Sequence, residues 1–319
     1  MKWSKRLAEG TAIVSLLVLS LIPATASASS EDAAVAASDG GVVIVRHITP
    51  PKNPIYSKGY SYFLDLLHLA FTKAGQPYRL QPVEVPLVPD SRSMMFLKHH
   101  KYDVMWLHTD LQREQELRPI RIPVYKGIIG WRLLFVKSDR MRDFAQMDID
   151  GLKSHSAGLG HDWPDVNIMT QNNFTVRTAV SWQAVKNLLI QDRVDYFPRA
   201  INEIWREQAE MNNADIDIDT HFALNYRTAY YLFVAKENEK LATIIERGLE
   251  KAIEDGSFNA LFYSYFSNNI LKAKIPQRKI IYLTNPDLPP KTPVWRDELW
   301  LTEQEARNLE LSSQGPLAQ

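Results

Sequence analysis

Short β-branched runs alternate with segments whose apolar residues recur every three or four positions, and this alternation most narrows the possible folds. Val42-Val43-Ile44-Val45 is continuous and apolar, the pattern of a buried parallel strand. After a loop with Pro50, Pro51 and Pro54, apolar residues from Tyr62 to Ala74 fall at helical spacing over Gly59 to Ala74, and Gly75 marks the stop. Tyr78 to Val85 reads as a second strand, Met94 to Leu97 as a short helix and Tyr102 to Leu107 as a third strand. This β-α-β-α-β order predicts a parallel sheet covered by helices.

A second unit follows. Trp131 to Val136 is strand-like, and Ser156 to Gly160 leads into a turn whose Pro164 suits the first position of a helix. Ser181 can cap a helix carrying Ala184, Val185, Leu188 and Leu189. Val194 to Phe197 and Tyr230 to Val234 read as strands, with a helix at Ile201 to Ala209. Two strong helices, lined by Leu241 to Ile253 and by Phe258 to Phe266, close the globular part. Leu97 stands six residues before Asp103, and Leu189 six before Asp195, a hint of two similar lobes.

Composition and motifs remove several classes. The 319 residues hold 37 basic and 37 acidic side chains and no cysteine. A net charge of zero argues against a protein built mainly to hold nucleic acid. Without cysteine there is no disulfide scaffold, thiol nucleophile or Cys-bearing zinc site. The motifs G-x-S-x-G, G-x-x-x-x-G-K-[ST] and H-E-x-x-H are absent, and Gly158-Leu159-Gly160 fails as a dinucleotide fingerprint because Trp163 stands at the third glycine. The His99-His100 pair reads as a solvated helix end. No cofactor and no metal is expected.

Residues 1–28 read as a secretory signal peptide: Lys2, Lys5 and Arg6 precede an apolar run from Ala12 to Ile22, and Ala26-Ser27-Ala28 offers a cleavage site. Its removal shifts the net charge from zero to about −2. A bacterial lipoprotein is tethered through an N-terminal cysteine, so the expected product is periplasmic, soluble and unlipidated. Residues 29–40, rich in Ala, Ser, Asp and Gly, read as a disordered leader.

One constellation carries functional information. Asp103 to Glu114 is a strand, a polar turn and a helix start, with His108, Thr109 and Asp110-Leu111-Gln112-Arg113 in the turn; Ile122-Pro123-Val124-Tyr125 follows. Leu188 to Asp195 and Ile245 to Phe266 come later. In these segments, across residues 41 to 270, the chain resembles the type 2 periplasmic solute-binding proteins, in the branch that binds polar amino acids (family 3 of the extracellular solute-binding proteins). Gly160-His161-Asp162-Trp163-Pro164-Asp165 and Tyr196-Phe197-Pro198-Arg199 also resemble a subgroup of secreted proteins with this fold.

The resemblance implies an α/β protein with the two-lobed type 2 periplasmic binding fold: mixed sheets flanked by helices, two crossover hinge strands and a ligand cleft. Lobe one would hold 41–134 and 228–285, lobe two 135–227, and 286–319 would be a C-terminal extension. Arg113 matches the family's arginine that grips a ligand carboxylate, and a guanidinium does so bidentately. His108 and Thr109 would line the cleft beside it. In lobe two, His161, Asp162 and Trp163 occupy the turn that offers backbone N–H groups. Arg199 or Ala200 falls where the family places an Asp for the ligand's α-amine, which puts an ordinary α-amino acid in doubt and favours an anionic solute. Tyr56 and Tyr60 would supply aromatic walls.

The expected function is capture of a small polar solute, anionic or amino-acid-like, for a membrane permease or sensor, by a monomer that closes about its hinge. Two other classes stay open: a lyase or hydrolase on the same fold, with Glu203, Asp162 or His161 as acid or base, and a partner-binding accessory protein with a vestigial cleft.

Overall fold

The computed structural model describes residues 38–39, 41–49, 54–85, 90–211 and 213–313. The segment expected to be a signal peptide and most of the expected leader lie outside them, as do Pro50 and Pro51. In chain order the elements are β1 (Ser38–Asp39), β2 (Val42–Ile48), α1 (Pro54–Ala74), β3 (Tyr78–Val83), α2 (Asp90–Lys98), β4 (Met105–His108), α3 (Leu111–Glu116) and β5 (Leu117–Ile120). Next come β6 (Trp131–Lys137), α4 (Met141–Gln146), α5 (Ile149–Ser154), β7 (Ser156–Gly160), α6 (Asp165–Gln171), β8 (Thr175–Ala179), α7 (Trp182–Ile190), β9 (Phe197–Ala200), α8 (Ile204–Met211), β10 (Ile216–Ile218) and β11 (Phe222–Asn225). The chain ends with β12 (Tyr230–Ala235), α9 (Glu239–Glu254), α10 (Ser257–Ala273), β13 (Lys279–Tyr282) and α11 (Glu303–Ser313).

The β-α-β opening is present. β2 and β3 run parallel, from Val43 opposite Tyr78 to Ile48 opposite Val83. A parallel pair needs a crossover, and α1 supplies it, burying Phe63, Leu66, Leu67, Ala70 and Phe71. It stops at Gly75, whose φ of +67° is a left-handed conformation that favours glycine. The third strand differs from expectation. β4 does not extend this parallel sheet but forms an antiparallel sheet in the order β4-β12-β5. The reason is long-range: β12 returns from the second unit and lies between β4 and β5. The link back to β2 runs through Asp103, whose N donates to Arg46 O at 2.9 Å, while Arg46 donates from its backbone N to Asp103 Oδ2 at 2.7 Å and from Nη2 to Oδ1 at 2.6 Å.

In the second unit β6 is the central strand. It pairs antiparallel with β9 on one side and with β10 and β11 on the other, and β13 adds to β11 in parallel. β7 and β8 form a parallel pair, bridged to this region through Ala157 and Tyr196. Side chains alternate across a strand, and β6 is buried on both sides: Leu133 and Phe135 join the larger apolar cluster, Leu134 and Val136 the smaller. Ser181 caps α7 as expected, accepting from Ala184 N at 3.2 Å.

The chain passes between the two groups of sheets through 121–130, which leads from β5 to β6, and through 226–229, which leads from β11 to β12. The crossovers touch closely. Tyr226 N donates to Gly130 O at 3.2 Å, and a Cβ on residue 130 would stand 2.0 Å from Tyr226 O, so only glycine fits there. A third passage takes the chain from α10 into β13.

Candidate functional site

The polar turn after β4 is held by its own groups. Thr109 is buried; its N donates to Ala229 O at 2.9 Å and its Oγ1 to Glu114 Oε1 at 2.8 Å. Asp110 caps α3 by accepting from Arg113 N at 2.7 Å. The Arg113 guanidinium folds back, donating from Nη1 to His108 O at 2.7 Å and lying 3.0 Å from Asp110 Oδ2. A short helix with an acidic cap thus turns one arginine over the end of β4.

His108 sits beneath that arginine. Its Nε2 is 2.6 Å from Thr228 Oγ1 and Tyr230 meets the ring edge-on at 5.5 Å. Nδ1 is out of reach of solvent and has no hydrogen-bond partner among the described residues. Burial, and then the charge of Arg113, lower the His108 pKa to about 4, so the ring is neutral at pH 7. Asp165 and Asp110 pull in the opposite direction, and Arg132 reinforces the lowering. Charged groups from both sheet groups therefore surround one neutral imidazole.

Asp165 and Arg132 belong to a buried network in the second unit. Arg132, on β6, reaches Asp165 at the start of α6 (Nη2 to Oδ1 2.9 Å and to Oδ2 3.1 Å) and donates from Nε to Tyr226 OH at 2.8 Å. Tyr226 OH donates to Asp165 Oδ1. Burial pushes the Tyr226 hydroxyl well above its usual range. Glu203 Oε2 lies 3.9 Å from Arg132 Nη1.

Arg199 continues the network from β9. It donates to both oxygens of Glu207, from Nε and Nη2, each at 2.6 Å, and from Nη2 to Glu203 at 2.8 Å. Its guanidinium lies 4.6 Å from the centroid of the Trp163 ring, which stacks on Phe197 at 6.0 Å and 18°. A Cβ on Gly160 would come within 2.5 Å of that indole. Trp163 is thus packed into the second unit together with Arg199.

The structure brings His108, Thr109 and Arg113 together at one turn. It joins Arg199 and Trp163 to each other and ties Arg199 to two glutamates. His161 and Asp162 are exposed on the turn after β7, outside the network, and the carboxylate joined to Arg132 is Asp165, three residues on. Tyr60 is buried, edge-on to Trp106 at 4.9 Å, and burial raises its hydroxyl pKa to about 12. Tyr56 belongs to α1, and its side chain lies outside the described residues. Arg132, Tyr226, Thr228 and Glu207 were not anticipated. One signal was available: Arg132 is a lone charge inside an apolar strand, and a buried charge needs a partner.

Among the described residues no group of three or more His, Asp or Glu could hold a metal ion. No helix among them is long and apolar enough to cross a membrane.

No protein-family model matches the chain, and no curated protein matches it by sequence. Solved structures do. The probable amino-acid ABC transporter extracellular-binding protein of Bacillus subtilis is 15% identical over 70% of this chain and 97% of its own, with a TM-score of 0.54. The VFT2 domain of BvgS from Bordetella pertussis, as a double mutant, is 14% identical over 71% and 94%, with a TM-score of 0.50. An amino acid ABC transporter substrate-binding protein of Streptococcus pneumoniae bound to L-arginine is 13% identical over 71% and 94%, at 0.46. The chain has the mixed α/β, two-lobed fold of the type 2 periplasmic binding proteins.

Proposed function

We propose that this protein is a periplasmic solute-binding protein that captures a small, polar, amino-acid-like solute between its lobes and presents it to a membrane permease or sensor. One observation carries the reading. The Nδ1 of His108 is buried without a partner where Arg113 on one side and Arg132 with Asp165 on the other converge. A buried polar atom left unpaired is costly, and a bound polar solute satisfies it.

The surroundings favour a solute with both charges. Arg113 is held by Asp110, whose own side chain is 39% exposed, so a ligand carboxylate can take its place without leaving a buried charge. Glu203 is the partly exposed member of the carboxylate pair on Arg199, and it offers an acceptor for an ammonium group. Arg199 itself is spent on Glu207, which argues against a second anion site there. The two-lobed fold and the binding proteins among its structural neighbours support the reading. Export by the N-terminal segment and action as a monomer belong to it.

Calorimetry with a panel of amino acids and dicarboxylates is the test. One-to-one binding is expected, and Arg113→Ala should weaken it by about tenfold or more. If no member of the panel binds, or Arg113→Ala leaves the affinity intact, this assignment fails.

A further inference from the structure

Three consecutive residues of the second crossover face three different structures. Tyr226 bonds Asp165 and Arg132 in the buried network of the second unit. Thr228 bonds His108 in lobe one. Between them, Arg227 is engaged by the C-terminal segment: its guanidinium lies 4.8 Å from the Trp300 ring centroid, and its carbonyl accepts from Asn285 Nδ2 at 3.0 Å.

That segment is fastened at both ends. On lobe two, Thr284 and Asn172 exchange two hydrogen bonds, N to Oδ1 at 3.0 Å and Nδ2 to O at 2.8 Å, and Asn167 donates to Asp287 at 2.6 Å. On lobe one, Arg296 grips Glu250 of α9 bidentately at 2.6 and 2.8 Å. Beyond Arg296 the segment is clamped to the first crossover. Lys126 is fully buried, and its ammonium donates to Asn259 of α10, Glu298 O and Glu305 at 2.8 to 3.1 Å. Leu301 N donates to Lys126 O at 2.7 Å, Trp131 Nε1 donates to Leu301 O at 3.1 Å, and the Trp300 indole fills the space a Cβ on Gly127 would need.

A rotation of one lobe against the other must absorb backbone change in the crossovers. It must also alter the separation of Asn172 from Glu250, which the strap spans with a fixed number of residues. We infer that residues 284–302 form a built-in strap across the hinge that restrains the interlobe angle and couples it, through Arg227, to both halves of the site. The inference deepens the solute-binding reading but does not need a ligand for its test.

The chain has no cysteine, so two can be introduced for spin labels, Val180→Cys on lobe two and Lys240→Cys on lobe one. Electron–electron resonance then reads the interlobe distance without ligand. Two strap variants are compared with the labelled parent: Arg296→Ala with Asn172→Ala, which cuts a fastening at each end, and a short Gly-Ser insertion between the exposed Pro290 and Lys291, which opens the local turn from Pro289 O to Thr292 N and lengthens the strap while leaving the fastenings at Thr284, Asp287 and Arg296 in place. A new population at a different distance is expected in both. If the first variant does not fold, the insertion alone decides. A distribution superimposable on the parent's in the insertion variant overturns the strap, whereas absence of binding in calorimetry would remove only the solute.

Discussion

Arg113 and Arg199 looked alike in the sequence and differ in the structure by what surrounds them. Arg113 meets the partly exposed carboxylate of Asp110 on its own turn, and the carbonyl of His108. Arg199 is buried, bound by both oxygens of Glu207 and by Glu203, and laid on Trp163. A guanidinium held in this way is part of the framework. One whose carboxylate partner is partly exposed can exchange that partner for a ligand. The residue type decides less than the number and burial of the carboxylates within reach.

The sharpest way to break the comparison is to remove the partners. Glu207→Ala takes the bidentate, buried partner from Arg199, leaving it the partly exposed Glu203, and should lower the unfolding free energy by about 3 kcal/mol, read from urea denaturation. Glu207→Gln should cost less. If Glu207→Ala is nearly neutral, Arg199 has solvent access and the contrast with Arg113 disappears.

Acid tests the neutral imidazole beneath Arg113. The unfolded state takes up a proton below about pH 6.5, whereas His108 in the folded protein resists it down to about 4. Its contribution is therefore present in full above pH 6.5 and is lost as the pH falls toward 4, by up to about 3 kcal/mol. Thermal melts across this window should show the slope, and His108→Gln should flatten it.

Gly160→Ala pushes a methyl into Trp163, which Arg199 and Phe197 hold in place. A loss of about 1–3 kcal/mol is expected. In a Trp163→Ala background the same change should cost little, and an equal cost in both backgrounds would place the strain elsewhere. The smallest effect belongs to the exposed side of the comparison. Asp110→Ala removes the cap of α3 and should cost about 1 kcal/mol, while leaving Arg113 better able to take an anion.

Much of the fold was legible because α1, α7, α9 and α10 each carry an apolar stripe or a cap that the sequence displays. β10, β11 and β13 were not. They are three or four residues long and become strands by pairing with β6 or with each other, which no local pattern records. In the site, the turn from His108 to Arg113 could be found from its capping Asp and its resemblance to a known turn. The partners of Arg199 could not be ranked by proximity alone. Glu203 lies four residues on and was visible, but Glu207, one turn further along, makes the bidentate contact. Asp165 was overlooked for Asp162 because both flank Trp163-Pro164, and only the fold decides which one faces Arg132.

β6 feeds two apolar clusters at once, with Leu133 and Phe135 in one and Leu134 and Val136 in the other. The smaller cluster also takes Ile281 and Leu283, which are made only after α10. The central strand thus precedes, by more than a hundred residues, the last side chains that its smaller cluster needs. Once formed, the two clusters share a strand that neither can lose alone, so the two faces of the second unit should melt together in a single cooperative transition.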